Sequence, residues 1–400
     1  MISVEEARSK ILDALTPVSA ETVGLGQAQR RVLAAPVLAR LTQPPADVSA
    51  MDGYALRAAD GQKNAVLKLI GAAPAGHPFA GTVGPGETVR LFTGSVLPAG
   101  ADTVLLQEDA SAGEGFVTVN ESCQPGRHIR RAGQDFAAGE VLIPAGTRLS
   151  ARDIGLAAAG NHPWLSVYRR PRIAILATGD EISLPGEPLG PGGIVSSNAH
   201  ALAAFVQACG GEPIILPIAG DDRDAIAAGA DAARGADLLV TTGGASVGDH
   251  DLVQAGLALR GLQLDFWKIA MRPGKPLMFG ALAQLKLLGL PGNPVSAFVC
   301  ALLFLKPAIA RLAGRPEEIL ETEPARLGTE MKANDQRADY VRASLERDDQ
   351  GWRVSPFPVQ DSGMLRTLAR AGALILRAPF AAAAEIGDTV RVVRLDNLGL

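Results

Sequence analysis

Residues 237–253 read DLLVTTGGASVGDHDLV. The run 237–242 is short, apolar and rich in β-formers; it ends at Gly243-Gly244, and a helical pattern begins near Asp251. A buried strand, a glycine turn and a helix start together present backbone N–H groups to an anion. Gly243 and Gly244 permit positive φ and close approach of a ligand to the backbone. Ser246 adds a hydroxyl, and Asp249 and Asp251 add carboxylates. The Gly-x-x-x-x-Gly-Lys-Ser/Thr pattern of a Walker loop does not occur. Taken alone, the turn reads equally well as a plain strand–helix connection. Its meaning depends on its surroundings.

Those surroundings alternate. Strands are expected at 173–177, 213–217, 238–242, 264–269, 277–281 and 285–290, and helices at 197–209, 223–233, 251–259 and 294–312. Asn293 suits the N-cap of the last helix and Pro294 its first turn. Strands alternating with helices predict a mostly parallel sheet with helices on both faces. Upstream, helical patterns at 3–15 and 26–34 precede the extended Pro44-Pro45 stretch, and 65–120 is β-rich with strand-like runs at 66–70, 88–92, 103–107 and 116–120. A small helix is expected at 151–159 and a basic junction at 168–171. Downstream, a charged, proline-punctuated linker at 313–324 leads to strand-like runs at 340–345, 352–354, 373–376 and 390–395. The chain therefore reads as multi-domain α/β plus β. An N-terminal helical and β region spans 1–170 with a β-rich insert at about 45–140, a central α/β sheet domain spans 171–313, and a C-terminal β domain spans 325–400.

With 47% hydrophobic and 20% charged residues in 400, the chain can bury sizeable cores. A formal net charge of −4 provides no electrostatic footprint for nucleic acid, and 4% aromatic residues leave few stacking platforms. Cys123, Cys209 and Cys300 are odd in number, far apart and without a Cys-x-x-Cys, which argues against a disulfide framework or structural zinc and fits a reducing compartment. The first residues carry acids rather than a basic signal-peptide start, and the apolar run 295–305 is shorter than the ~20 residues of a membrane span. A soluble cytoplasmic protein is expected.

In an open α/β sheet, ligands bind beyond the carboxyl ends of the strands. The expected strands exit to Thr178-Gly179-Asp180-Glu181, Ala219-Gly220-Asp221-Asp222, Gly243-Gly244-Ala245-Ser246, Arg272-Pro273-Gly274-Lys275 (after Lys268) and Pro291-Gly292-Asn293-Pro294. Five exits with glycine and polar groups on one edge are hard to assign to turn-making alone. Lys268, Arg272 and Lys275 suit phosphate or a similar oxyanion. Asp180, Glu181, Asp221, Asp249 and Asp251 would repel the same anion, a conflict that a divalent cation between carboxylate and phosphate oxygens resolves. The competing reading makes these acids helix N-caps, and Asp221 and Asp222 fit it well; Glu181 and Asp251 fit it less well and are the first choices as metal ligands. No His-Glu-x-x-His or Gly-x-Ser-x-Gly occurs, and the five histidines are scattered. Asp52, in the tight Met51-Asp52-Gly53-Tyr54 turn, reads locally as a turn residue.

SAMDGYA at 49–55, TGDE at 178–181, TTGGASVGDHD at 241–251, MRPGKP at 271–276 and GLPGNPVSAF at 289–298 together resemble the molybdopterin molybdenumtransferase (MoeA) family, which includes the gephyrin E domain. The resemblance covers essentially the whole chain. It implies a central molybdopterin-binding fold and a transferase of molybdenum cofactor biosynthesis. Such an enzyme inserts molybdenum from molybdate into adenylylated molybdopterin with release of AMP, using Mg²⁺. It also implies a homodimer whose cleft is shared between subunits. By motif, Asp52, Thr93 and Asp135 match one wall, with Glu181 and Asp251 as further catalytic and metal-binding residues. Gly243, Gly244, Ser246, Asp221, Lys268, Arg272, Lys275, Pro291 and Asn293 match substrate-binding positions. At the C-terminus the match is loose; Arg342 and Ser362, or a neighbour such as Arg337, are the candidates. Arg272 stands where many members have lysine. Two other functions share parts of this pattern: a molybdopterin adenylyltransferase or related phosphohydrolase on the same sheet fold, and a peptide-binding scaffold of the gephyrin type.

Overall fold

The structure, a computed structural model, describes residues 1–243, 252–315 and 320–399. Its centre is a six-stranded sheet in the order Glu212–Ile215, Arg172–Ala177, Leu238–Thr242, Leu285–Leu290, Met278–Leu282, Leu262–Trp267. The first four strands are parallel, and the other two are joined antiparallel. Leu238–Thr242 is buried along its whole length and Arg172–Ala177 at all but its first residue. A strand covered on both faces has no solvent side, which is why these stretches read as unbroken apolar runs. Two apolar clusters, one per face, enclose the sheet.

The strand directions place the tips. Arg172–Ala177, Leu238–Thr242 and Leu285–Leu290 end at one edge. The Leu262–Trp267 strand, antiparallel to an antiparallel neighbour, ends at that edge as well, so residues 268–277 loop over it. Met271–Arg272 within that loop pairs in parallel with Ala338 and Asp339, and so becomes the outer strand of the C-terminal six-stranded sheet. The C-terminal sheet is thus fastened directly beside the tips of the central one.

The helix over Pro294–Leu312 is 19 residues of mostly apolar sequence, long enough to cross a membrane, yet it is buried in the core of the molecule. The N-terminal helix Val4–Asp13 packs Val4, Ala7 and Ile11 into that same core. Its N-cap Ser3 accepts a hydrogen bond from Glu6 N–H. Pro307 can give no N–H, and the helix is π-wound over Ala301–Leu305 immediately before it.

The stretch expected as a helix at 26–34 is helical only over Leu25–Ala28. Arg30 takes φ 63°, and Val32 and Leu33 form bridges with Arg148 and Val167. Gly26 is a weak helix former, and Leu33 gains full burial in the N-terminal core. The linker expected to 324 ends sooner, because Glu323–Leu327 pairs with Thr389–Arg394. The insert carries its own six-stranded sheet, Thr103–Leu106, Gly53–Leu56, Glu87–Leu91, Val66–Ala73, Phe116–Val119, Ala110–Ala112, with an apolar cluster on each face.

A largely covered ion pair ties the N-terminal segment to the central sheet. Arg169 grips Asp237 through two nitrogens at 2.7 and 2.6 Å, and the same carboxylate accepts Arg172 N–H at 2.7 Å. Both side chains are mostly covered, at 28% and 15% exposure. Asp237→Ala leaves the guanidinium and an N–H without their acceptor. It is expected to cost ~2 kcal/mol, discounted from the figure for full burial. The check is a lowered thermal midpoint with unchanged secondary structure; an unaltered midpoint would show the pair to be energetically idle.

Candidate active site

Gly243, at the tip of Leu238–Thr242, has φ 104° and no room for a side chain: a Cβ would stand 2.3 Å from Thr178 O. At Gly292 a Cβ would lie 3.3 Å from the Gly243 Cα. The three central tips therefore meet backbone on backbone. Thr178 N–H donates to Thr242 O at 3.1 Å. Asn198, first residue of the Asn198–Ala208 helix, donates through Nδ2 to Thr242 Oγ1 at 2.9 Å and to Gly292 O at 2.7 Å. These contacts close the floor of a cleft of about 950 Å³.

Of the sequence candidates, Glu181, Gly243, Arg272, Lys275, Pro291, Asn293 and Ser362 line this cleft together. Glu181 is exposed, its carboxylate lying over Gly179, where a Cβ would meet it at 2.4 Å. Arg272 is engaged: it donates to Asp339 at 2.6 Å, to Asn334 at 3.3 Å and to Asp335 at 3.5 Å. The hydrogen bond and charge of Asp339 hold its pKa above the ordinary arginine value. Asp335 in turn is pulled to about 2 by hydrogen bonds from the Arg337 side chain and backbone. Lys275, half-buried, has no acidic partner among the described residues. It sits in the cleft with the N-terminus of the 294–312 helix, whose Ser296 faces the same space while only 5% exposed.

The far wall comes from the C-terminal domain. Asn293 caps the helix in position but not with its side chain, which donates to Ser362 Oγ at 2.9 Å; Val295 N–H donates to Ser362 O at 3.1 Å. Arg342 does not reach the cleft. It lies 1% exposed behind this wall, donating to Asp361 O at 2.8 Å, while its backbone N–H is accepted by Gln360. Burial holds its pKa below the ordinary arginine value. Arg342 is thus a positioning residue, and Arg337 is the C-terminal arginine that lines the cleft.

Other candidates lie elsewhere. Asp221 N–H donates to Asp180 and Asp180 N–H to Asp221, a reciprocal pair that locks two neighbouring tips outside the cleft. Asp222, beside it, is the side-chain N-cap of Arg223–Ala232. Lys268 has φ 72°, and its ammonium lies 3.7 Å from the Trp267 ring centre instead of in the cleft. Asp52 and Thr93 do pair, on the insert's sheet: Asp52 Oδ1 accepts Thr93 N–H at 2.7 Å and its hydroxyl at 2.8 Å. Neither they nor the exposed Asp135 lines the cleft of their own chain. Gly244, Ser246 and Asp251 lie outside the described residues. Sequence reasoning placed Thr178 at a strand exit without giving it a role, and missed Ser196, Asn198 and Gln360 as cleft residues. The Ser196-Ser197-Asn198 run before an apolar helix was the available signal, since such residues mark a helix start at a sheet edge. Thr178 is notable because its hydroxyl is buried with no hydrogen-bond partner among the described residues.

Residues 2–160 match the model of the MoeA N-terminal region (domains I and II), 174–311 that of the probable molybdopterin binding domain, and 324–395 that of the MoeA C-terminal region (domain IV). The chain is 38% identical to a molybdopterin molybdenumtransferase from Nostoc sp., over 82% of this chain and 78% of that protein. It is 33% identical to the Haemophilus influenzae protein of that name, over the full length of both. Two solved structures of a Pyrococcus horikoshii molybdopterin biosynthesis MoeA protein, 28% and 27% identical, superpose with TM-scores of 0.87 and 0.82 over 98% of this chain and 99% and 100% of theirs.

The Asp52–Thr93 contact has a measurable consequence. The Thr93 N–H, then its hydroxyl, then the charge of Arg90 hold the Asp52 carboxyl below its ordinary value of 3.8. The contact therefore stabilises the folded state above that ordinary value and is lost as pH falls through the lowered one. Thr93→Val removes the hydroxyl, so the Asp52 carboxyl, followed by NMR titration, should move up toward 3.8. An unmoved titration would mean that the hydroxyl does not bear on it.

Proposed function

The chain belongs to the MoeA family, and from that premise we propose that the cleft at the sheet tips is where its chemistry occurs. The protein is an enzyme of molybdenum cofactor biosynthesis, a molybdopterin molybdenumtransferase. The observation that carries the assignment of the site is the sharing of one cleft by a lysine with no acidic partner among the described residues, a helix N-terminus and an exposed carboxylate. Lys275 and the hydroxyls of Ser296 and Ser362 bind the molybdate oxyanion; Arg272, already neutralised by Asp339, holds the loop that carries Lys275. The pterin end of the substrate meets Thr178, Ser196 and Asn198, and the partnerless Thr178 hydroxyl gains a partner there.

The substrate is the adenylylated form of molybdopterin. Water attacks the phosphoanhydride, and the bond between the two phosphorus groups breaks to give AMP and molybdopterin with its own phosphate. As the two thiols bind molybdenum they give up two protons, and one oxo ligand of molybdate takes both and departs as water. Glu181 is exposed at the cleft and is the carboxylate placed to relay those protons. Mg²⁺ takes one or two carboxylates and completes its shell with water and phosphate, and the exposed Glu181 carboxylate at the cleft is a ligand of that kind. Glu181, with Asp251, would hold it, and when bound it neutralises the phosphate charge. The Asp52–Thr93 pair on the insert serves the cleft of a second subunit in a homodimer. The enzyme works in the cytoplasm, where its three buried free cysteines stay reduced.

The test is AMP release from adenylylated molybdopterin by the purified protein, with molybdate and Mg²⁺ each varied. Both should be required. Glu181→Gln should keep the adenylylated pterin bound and slow AMP release by roughly 100-fold or more. An unchanged rate would remove Glu181 from the chemistry. Lys275→Ala should raise the molybdate concentration needed by at least about tenfold, the worth of a charge-assisted hydrogen bond. An unchanged molybdate dependence would place the oxyanion elsewhere.

A further inference from the structure

Away from the cleft, beside the opposite end of the parallel strands, six arginines border one crevice: Arg30, Arg31, Arg148, Arg169, Arg170 and Arg315. Backbone pairing gathers them. Arg30 N–H donates to Leu149 O at 2.8 Å, Val32 bridges Arg148, and Tyr168 N–H donates to Val32 O at 2.9 Å. Three segments, two of them ending in an Arg-Arg pair, therefore lie side by side. Arg315, beyond the Lys306–Leu312 helix, reaches in to donate to Cys209 O at 3.3 Å, where the Asn198–Ala208 helix ends. Among the described residues, Glu21 pairs with Arg31 and Asp237 with Arg169. Arg30, Arg148 and Arg170 are exposed and have no acidic partner among the described residues. Guanidinium groups held this close repel one another unless an anion lies among them.

We propose that this crevice is a second anion site, taking a multiply charged phosphate-type oxyanion. The space itself is about 20 Å³, room for about one water-sized group. One terminal phosphate oxygen enters it toward Arg31 and Arg315, and the rest of the anion stays outside among Arg30, Arg148 and Arg170. Planar guanidinium forks suit this ligand, since each offers paired N–H donors to two oxygens. Because the arginines belong partly to the N-terminal segment and partly to the end of the central domain's helices, a bound anion would cross-brace the two.

The experiment is calorimetry and thermal unfolding of the full-length protein with inorganic phosphate, tripolyphosphate and ATP, at fixed ionic strength. Wild-type protein should bind tripolyphosphate more tightly than phosphate and unfold at a higher temperature with it. ATP binding as tightly as tripolyphosphate identifies a nucleotide ligand, and weaker ATP binding a free polyphosphate; both support the site. Arg30→Asn/Arg148→Gln/Arg170→Gln should weaken binding by at least about tenfold and leave AMP release at the cleft unchanged. Asparagine is chosen at position 30 because it tolerates the left-handed backbone there. Lys275→Ala should not alter the binding. Failure of wild-type protein to bind, equal binding by the triple variant, or loss of binding in Lys275→Ala would each overturn the proposal. Glu317 and Glu318 follow Arg315 outside the described residues. Binding that emerges only in Glu317→Gln/Glu318→Gln would overturn it too, because the chain's own acids would then occupy the arginines.

Discussion

The cleft at the sheet tips depends on how closely three strand ends approach. Gly243 sits where any Cβ would overlap the Thr178 carbonyl, and Gly292 lies against Gly243 in turn. With side chains excluded, Asn198 can bond both Thr242 and Gly292, which fixes the start of one helix and the turn before another against a single strand end. The glycines carry no chemistry themselves. They allow Thr178, Ser196 and Ser296 to face the same space, and they bring a helix N-terminus to its floor. A residue larger than glycine at 243 would have to push apart two strands buried on both faces, and close-packed interiors resist that.

A second constraint is the division of charge around that floor. Sequence shows a run of basic residues, Lys268, Arg272 and Lys275, that read as equivalent. The structure makes them different. Lys268 is turned aside by a left-handed backbone onto the Trp267 ring. Arg272 is committed to Asp339 and, more distantly, Asp335. Lys275 alone of the three keeps its charge for a ligand among the described residues. The two-residue strand Met271–Arg272 produces this separation: by pairing with Ala338 and Asp339 it faces Arg272 toward C-terminal acids and leaves Lys275 beyond the paired stretch. The same docking brings Ser362 to Asn293. The C-terminal domain is therefore part of the cleft wall rather than an appendage.

This explains what could and could not be read from the chain. The central sheet was legible because strands covered on both faces must be apolar throughout, and their exits are marked by glycine with polar neighbours. The edge carrying the cleft followed from that alone, and Glu181, Gly243, Lys275 and Asn293 do line one cleft there. What stayed hidden depends on pairing between distant segments. Arg342 and Arg337 are five residues apart on one stretch of chain, and nothing local says that the first is swallowed by the Gln360–Asp361 turn while the second faces the cleft. Asp221 failed as a cleft residue for a related reason. Its partner, Asp180, lies 41 residues away, and the two carboxylates cap each other's backbone. The expected helix at 26–34 failed because Val32 and Leu33 gain more from partners over a hundred residues downstream than from continuing a helix.

The insert shows how far one chain can go toward a complete site. Asp52 is held ionised by Thr93 at the end of a well-packed sheet, an arrangement more exacting than a turn requires, because both the N–H and the hydroxyl of Thr93 are spent on one carboxylate oxygen. Arg90 stacks against Tyr54 and Phe92 beside it and donates to Gly53 O, so the turn is braced from beneath as well. Yet this braced acid does not line the cleft of its own chain, and among the described residues no part of the insert faces Lys275 across that cleft. A turn residue serving only the turn needs neither the second hydrogen bond nor the stacked arginine. Their presence is most simply explained if Asp52 must keep its charge and direction for something that arrives from outside the chain.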